Sequence, residues 1–370
     1  MPARSYSLPQ NRPNPRPWRH LALQNPSNFR LLKLIPAENP NDGLHCRLLE
    51  ISPTDAATEE YEALSWTWDS DESTRQVIID QDDKAYTFSI SDSLFEALQT
   101  LRYRDKARTL WIDRICVNQK DKSEKNHQIP IMPKIYGNAK TVCIWLGSAT
   151  DDSDEAIDFI EKINQNIWNF DILCKKEGKA GHSWNALFKM IMRRWFSRRW
   201  IVQEIALAND AVIYCGSKTI SWKKFTDAVS LFVETERVTH RLSEIMKQEE
   251  IADYIPDLFE NIAHLSATLL VETTNFLYRK KPDGGKEHLL GLEYLVSRLS
   301  IFNTSEPPDA VYALLAIAKD ARPRAIDEKN PEPSPAERKA TILGREFGIR
   351  TFHVDYGQDY AETCKDFLDF

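Results

Sequence analysis

Glycine is scarce in this sequence, with 12 among 370 residues, where an average chain carries about 7%. The shortage excludes collagen-like and glycine-rich linker readings. No segment spells a Walker loop or a dinucleotide fingerprint, both of which need several glycines so that the backbone can approach phosphates. Long apolar runs are missing too: none approaches the length of a membrane span, and the mean hydropathy is −0.48. Positive charge is not in excess, since 48 basic against 55 acidic side chains leave a net charge of −7, which argues against a nucleic-acid binder that works by neutralising phosphates. Cys46, Cys116, Cys143, Cys174, Cys215 and Cys364 form no CxxC pair, and the histidines are equally dispersed. No metal site is therefore expected, and the thiols read as free and buried in a reducing compartment. These features together point to a soluble, cytoplasmic protein.

What the chain has in plenty is aromatic residues, with 10 Trp, 12 Tyr and 16 Phe. They lie in short apolar runs that alternate with amphipathic segments. "FRLLKLIP" and "LHCRLLEI" read as one hairpin, and "VIID" with "YTFSI" as a second, after which Ser91 or Asp92 caps a helix. "YEALSWTW", "TLWIDRICV" and "TVCIWLG" read as buried strands separated by helices. This alternation predicts an α/β layer with a mostly parallel sheet flanked by helices, whose ligands bind at the carboxyl ends of the strands. The loops "TWDS", "NQKD" and "GSATDDSD" should then share one edge. "RRWFSRRWIVQEIALA" continues a long helical pattern that begins near Trp184, and beyond Trp222 the periodicity is that of additional packed helices. By composition, residues 1–28 form a disordered, basic, proline-rich arm, 29–222 the α/β domain, 223–320 a helical extension and 321–337 a proline-rich linker. Residues 338–370 restart as a strand and a helix that stop in mid-pattern, as a further, truncated segment would.

Several side chains are candidates for chemistry. Glu204 follows Trp200 on the same helical face, with Arg198 and Gln203 beside it. It is either a cleft acid able to stabilise positive charge or a surface glutamate in ordinary helix ion pairs. Asp113, in the middle of an apolar strand, requires hydrogen bonds or a cationic partner, as a structural or a site residue. Trp66, Trp68 and Trp200 could stack on a nicotinamide, an adenine or another base, or anchor the core. Asn118 and Gln119 could contact a polar ligand or cap the next helix. Ser65 has no adjacent histidine, so a nucleophile triad is weakly supported.

In their order along the chain, "YEALSWTWDS", "LWIDRICVNQKDKSEKNHQIPIMPKIYGNAKTVCIWLG", "RRWFSRRWIVQEIALA" with "YCG", "EPPDAVYALLAIA" and "HVDYGQDYAETCKDF" resemble the heterokaryon incompatibility (HET) domain of filamentous fungi and the segments that follow it. The resemblance departs at Asp69, where the family usually has glycine, and at Pro308 and Ala316. It implies non-self recognition and programmed cell death, self-association through this domain, an activating protein partner, and a distant similarity to TIR domains, which have a flavodoxin-like fold. Some TIR domains hydrolyse NAD with a helix glutamate, and "SRRWIVQE" is similar to the segment that carries it. On that carry-over Glu204 is catalytic, NAD is a substrate and no cofactor is required. Ser65, Trp66, Trp68, Asp69, Asp113, Asn118, Gln119, Arg198, Trp200 and Gln203 would then surround the ligand. A non-catalytic module that signals by homotypic assembly is the alternative implication.

Overall fold

The computed structural model describes residues 15–68, 74–174, 180–251, 254–256, 261–280, 286–325 and 348–370. The first part of the chain forms β1 (Arg16–Pro17), β2 (Phe29–Leu34), β3 (His45–Ile51), β4 (Glu62–Ser65), β5 (Arg75–Gln81), β6 (Lys84–Ile90), α1 (Asp92–Leu101), β7 (Arg108–Trp111), α2 (Lys122–Asn138) and β8 (Val142–Trp145). It continues with α3 (Asp151–Gln165), α4 (Ala180–Ile191), α5 (Trp200–Leu207), β9 (Ala211–Cys215), β10 (Lys218–Ser221), α6 (Trp222–Thr239), α7 (Arg241–Gln248) and α8 (Ser266–Phe276). After these come β11 (Tyr278–Lys280), β12 (Lys286–His288), α9 (Leu292–Arg298), β13 (Ala321–Ala325), β14 (Arg350–Val354) and α10 (Tyr360–Asp369).

Ten strands make one sheet in the order β1-β6-β5-β3-β2-β7-β4-β8-β9-β10. Its centre, β7-β4-β8-β9, is wholly parallel, whereas β2 with β3, β5 with β6 and β9 with β10 are the antiparallel hairpins that local turn signals announce. Counted in chain order, the parallel block runs 2-1-3-4, the order of the flavodoxin-like doubly wound class, in which ligands bind beyond the carboxyl ends near the order reversal. Here that place lies beyond β4 and its neighbours. Ser91 caps α1 through its hydroxyl, which accepts from the Leu94 amide, and Leu94, Ala97, Leu98 and Leu101 form the buried stripe of that helix. Glycine is spent where backbones meet: the Gly216 amide donates to the Gly147 carbonyl at 2.9 Å. Gly216 has φ +54°, and a Cβ there would stand 2.5 Å from that of Ala149.

Four departures from the sequence reading have physical causes. The arm becomes ordered before residue 28, because β1 adds to the edge strand β6 and Trp18 packs edge-on against Tyr86 at 5.3 Å; residues 1–14 lie outside the described residues. The strand in "TLWIDRICV" ends at Trp111, and Asp113 opens a single helical turn, Asp113–Cys116. The long helical pattern from Trp184 is broken between α4 and α5. Asn303 donates its amide to Ser197 O at 2.6 Å and accepts from the Arg199 amide at 3.0 Å, which captures backbone groups that a continuous helix would pair internally. Finally, the span read as a linker begins with β13, which pairs in parallel with β14; residues 326–347 lie outside the described residues. The helices beyond β10 share one apolar core with the sheet, with Trp184 of α4 stacked on Phe232 of α6 at 5.5 Å.

Candidate functional site

A cleft of about 450 Å³ opens beyond the carboxyl ends of β4 and β7. Its walls come from five places: Thr67 and Trp68 after β4, Asp113, Val117 and Gln119 after β7, one face of α2 from Lys125 to Met132, residues of α5 and the turn before it including Arg198, Trp200 and Glu204, and residues of the distant segments 303–309 and Tyr356. The volume suits a small organic ligand.

Glu204 lies at the bottom of this cleft, 2% exposed, which overturns its reading as a surface residue in helix ion pairs. Ser65, the last residue of β4, donates its hydroxyl to Glu204 Oε2 and accepts the indole N–H of Trp195 at 2.9 Å. The Tyr136 hydroxyl of α2 is a further partner. The guanidinium of Arg198 stands 3.9 Å from Glu204 Oε1 and is held in place by donating to the Trp66 carbonyl. Burial raises the Glu204 carboxyl from 4.5 to about 6 against the pull of Arg198 and Ser65, and the negative charge of Asp113 adds to the rise.

Asp113 has the partners that a carboxylate among apolar residues needs. The stacked indoles of Trp66 and Trp68, 6.0 Å apart, donate to its two oxygens at 3.0 and 2.9 Å, and the Arg114 amide donates at 2.7 Å. It is thereby a fixed acceptor group on the cleft wall. On the opposite side Asp309, 5% exposed, accepts from the Tyr356 hydroxyl, and Trp200 is a second hydrogen-bond partner; burial raises its carboxyl.

Of the residues singled out from sequence, Glu204, Trp68, Asp113, Gln119, Arg198 and Trp200 line the cleft. Ser65 and Trp66 support it from behind. Gln119 donates its amide to the Asp113 carbonyl at 2.8 Å, so its side chain braces the wall. Asn118 and Gln203 do not line the cleft. Asn118 borders a neighbouring cavity, and Gln203 is buried within α5 with no partner for its amide nitrogen among the described residues. Asp69 lies outside the described residues. The loop after β8 shares that edge, because β8 runs parallel to β4, but it does not line the cleft and is tied to Arg193, which donates to Leu146 O and Ser148 O. Sequence reasoning missed Lys125, Glu306, Asp309 and Tyr356; the blocks "EPPDAVY" and "HVDYG" that contain the last three were the available signal. Among the described residues no group of three or more His, Cys, Asp or Glu side chains could hold a metal ion, and no helix is long and apolar enough to cross a membrane.

Residues 61–204, which run from the start of β4 to Glu204 itself, match the family model described as Heterokaryon incompatibility protein (HET). The chain is 30% identical, over an alignment of 349 positions, to "Heterokaryon incompatibility protein 6, OR allele" of Neurospora crassa, covering 81% of this chain and 49% of that protein. It thus spans about half the length of the curated relative it matches. No solved structure matches. With their ordered blocks folded around one cleft, residues 61–204 of this chain form a heterokaryon incompatibility (HET) domain.

Proposed function

We propose that this protein acts in non-self recognition and that its output is hydrolysis of NAD at the bond between ribose and nicotinamide. The observation that carries the reading is Glu204: a helix carboxyl that burial raises to about 6, at the floor of a cleft walled by Trp68, Trp200 and the fixed carboxylate of Asp113. In the reaction the C1′–N bond breaks, its electron pair leaves with neutral nicotinamide, and the ribose becomes oxocarbenium-like. Water then adds its hydroxyl to C1′ and releases a proton, giving ADP-ribose. An ionised Glu204 stabilises the cationic state at short range, where exclusion of water makes a charge effective. The indole faces supply stacking for the pyridinium ring. Depletion of NAD would be the route to cell death.

The test is nicotinamide release from NAD by the purified chain and by E204Q, which keeps the shape of the side chain and removes its charge. A loss of at least about 100-fold is expected; equal release by the two proteins would overturn the reading.

A second reading, homotypic assembly without catalysis, is favoured by one observation: Trp168 is 98% exposed, as an interface anchor would be in the separated chain. Light scattering over a concentration series, with W168S as control, tests it. A monomer at every concentration would exclude self-association of this chain.

A further inference from the structure

A second cavity, of about 630 Å³, adjoins the acid cleft, and the two share Val117 and Gln119 as a common wall. Its balance of charge differs from its neighbour's. The acid cleft presents four carboxylates, Asp113, Glu204, Glu306 and Asp309, and as many cationic side chains, of which Arg198 and Lys125 pair with Glu204 and Glu306. The second cavity is lined by Arg19, Arg114 and Lys120, together with Trp18 and Phe88, and among the described residues no carboxylate lines it. Arg114 stands at the junction: its guanidinium lies 5.5 Å from the Trp68 ring, which belongs to the acid cleft, and 6.0 Å from Phe88, which belongs to the second. The arm supplies the outer wall, because β1 pairs with β6 and the Trp18 amide donates to Thr87 O at 2.8 Å, placing Arg19 and His20 over the cavity. His20 is turned inward by its hydrogen bond to Ile115 O at 2.8 Å, and burial lowers its pKa, so the arm's charge in the cavity rests on Arg19.

We propose that the second cavity is the subsite for the phosphate-bearing adenylate half of a dinucleotide, whose cationic half occupies the acid cleft. The inference rests on the reading of the acid cleft as an NAD site and deepens it. Guanidinium and ammonium groups pair with phosphate oxygens, and Trp18 and Phe88 offer faces or edges to a purine. Among the described residues the charged lining of the second cavity is wholly basic, as phosphates require, and carboxylates to meet a pyridinium lie only in the acid cleft. A glycine-rich loop is not needed, because side chains rather than backbone amides meet the phosphates.

The experiment is calorimetric titration of the full chain with AMP, adenosine and inorganic phosphate, on wild type, R114Q and K120E. The expected results are that AMP binds at least tenfold more tightly than adenosine, and that each substitution weakens AMP by at least tenfold. Lys120 is exposed, so K120E keeps the test independent of any packing lost with Arg114. AMP that binds no better than adenosine, or affinity for AMP within twofold of wild type in both variants, overturns the inference. Titration of NAD into E204Q, with and without K120E, separates the two proposals. NAD binding that depends on Lys120, together with no nicotinamide release by wild type, leaves the subsite standing and removes the hydrolase reading. Nicotinamide release with a KM for NAD within twofold of wild type in K120E and R114Q does the reverse.

Discussion

At the scale of single residues, the site turns on how one carboxyl group is balanced. Burial lifts Glu204 from 4.5 to about 6, so between those values the folded chain holds a proton that the unfolded chain has lost. Stability from this group is therefore present below about pH 4.5 and falls as pH rises towards 6, by about 2 kcal/mol in all. The difference in Tm between E204Q and wild type, followed across pH 4 to 7, should move in favour of the variant over this window. Activity should show the opposite dependence. If the ionised form stabilises the transition state, kcat/KM for NAD rises through about pH 6. S65A removes a hydroxyl that donates to the carboxylate, so its limb should shift to higher pH, and it leaves the buried Trp195 N–H without its acceptor at a cost of about 1–3 kcal/mol. A limb unmoved in S65A would show that the serine does not tune Glu204. The helical position of Glu204 beside Trp200 is legible in sequence, but its environment is not, because Ser65 is 139 residues away. Asp113 is a similar case. Its need for partners follows from its apolar neighbours, whereas the identity of those partners, the indoles of Trp66 and Trp68, follows from a contact between two loops.

At the scale of elements, the structure succeeds or fails to match sequence according to whether the signal is local. The turn of the β5–β6 hairpin and the Ser91 cap depend on neighbours within a few residues, and both form as the pattern indicates. The break between α4 and α5 depends on Asn303, about a hundred residues later, and no local pattern announces it. It matters because the turn it creates aims Arg198 at Glu204 and the Trp66 carbonyl. The far wall of the cleft depends on α2 in the same way. Asn126 accepts from the Tyr356 amide at 2.9 Å and donates to Asp355 at 3.1 Å, and Lys125 lies 4.1 Å from the Tyr356 ring, so the segment after β14 is fastened against that helix. N126A should cost about 1–3 kcal/mol and raise hydrogen exchange in residues 350–357 more than in β4. Uniform protection in the variant would show that this fastening does not hold the wall.

At the scale of the molecule, the family-matched residues 61–204 are not a self-sufficient unit. They contain β4 to β8, but β7 also pairs with β2, β8 with β9, β5 with β3 and β6 with β1, all outside the matched span. Cut at those limits, the fragment would leave these four strands each without one partner, β7 and β8 among them buried, and lose the wall from Asn303 to Tyr356. Residues 61–204 expressed alone should aggregate or lack cooperative unfolding, whereas residues 15–370 should unfold in one main transition; circular dichroism melts of the two decide this. By itself the sequence determined the class of fold, the hairpins, the parallel centre and the acid on its helix, because periodicity and capping act between near neighbours. It also determined that no glycine-rich turn would hold phosphates. Only the tertiary structure decided that Glu204 is buried, that Tyr356 and Asp309 close its cleft, and that a basic arm meets Arg114 beside it. Those facts depend on which distant surfaces lose water together, and burial of that kind leaves no periodic trace in the chain.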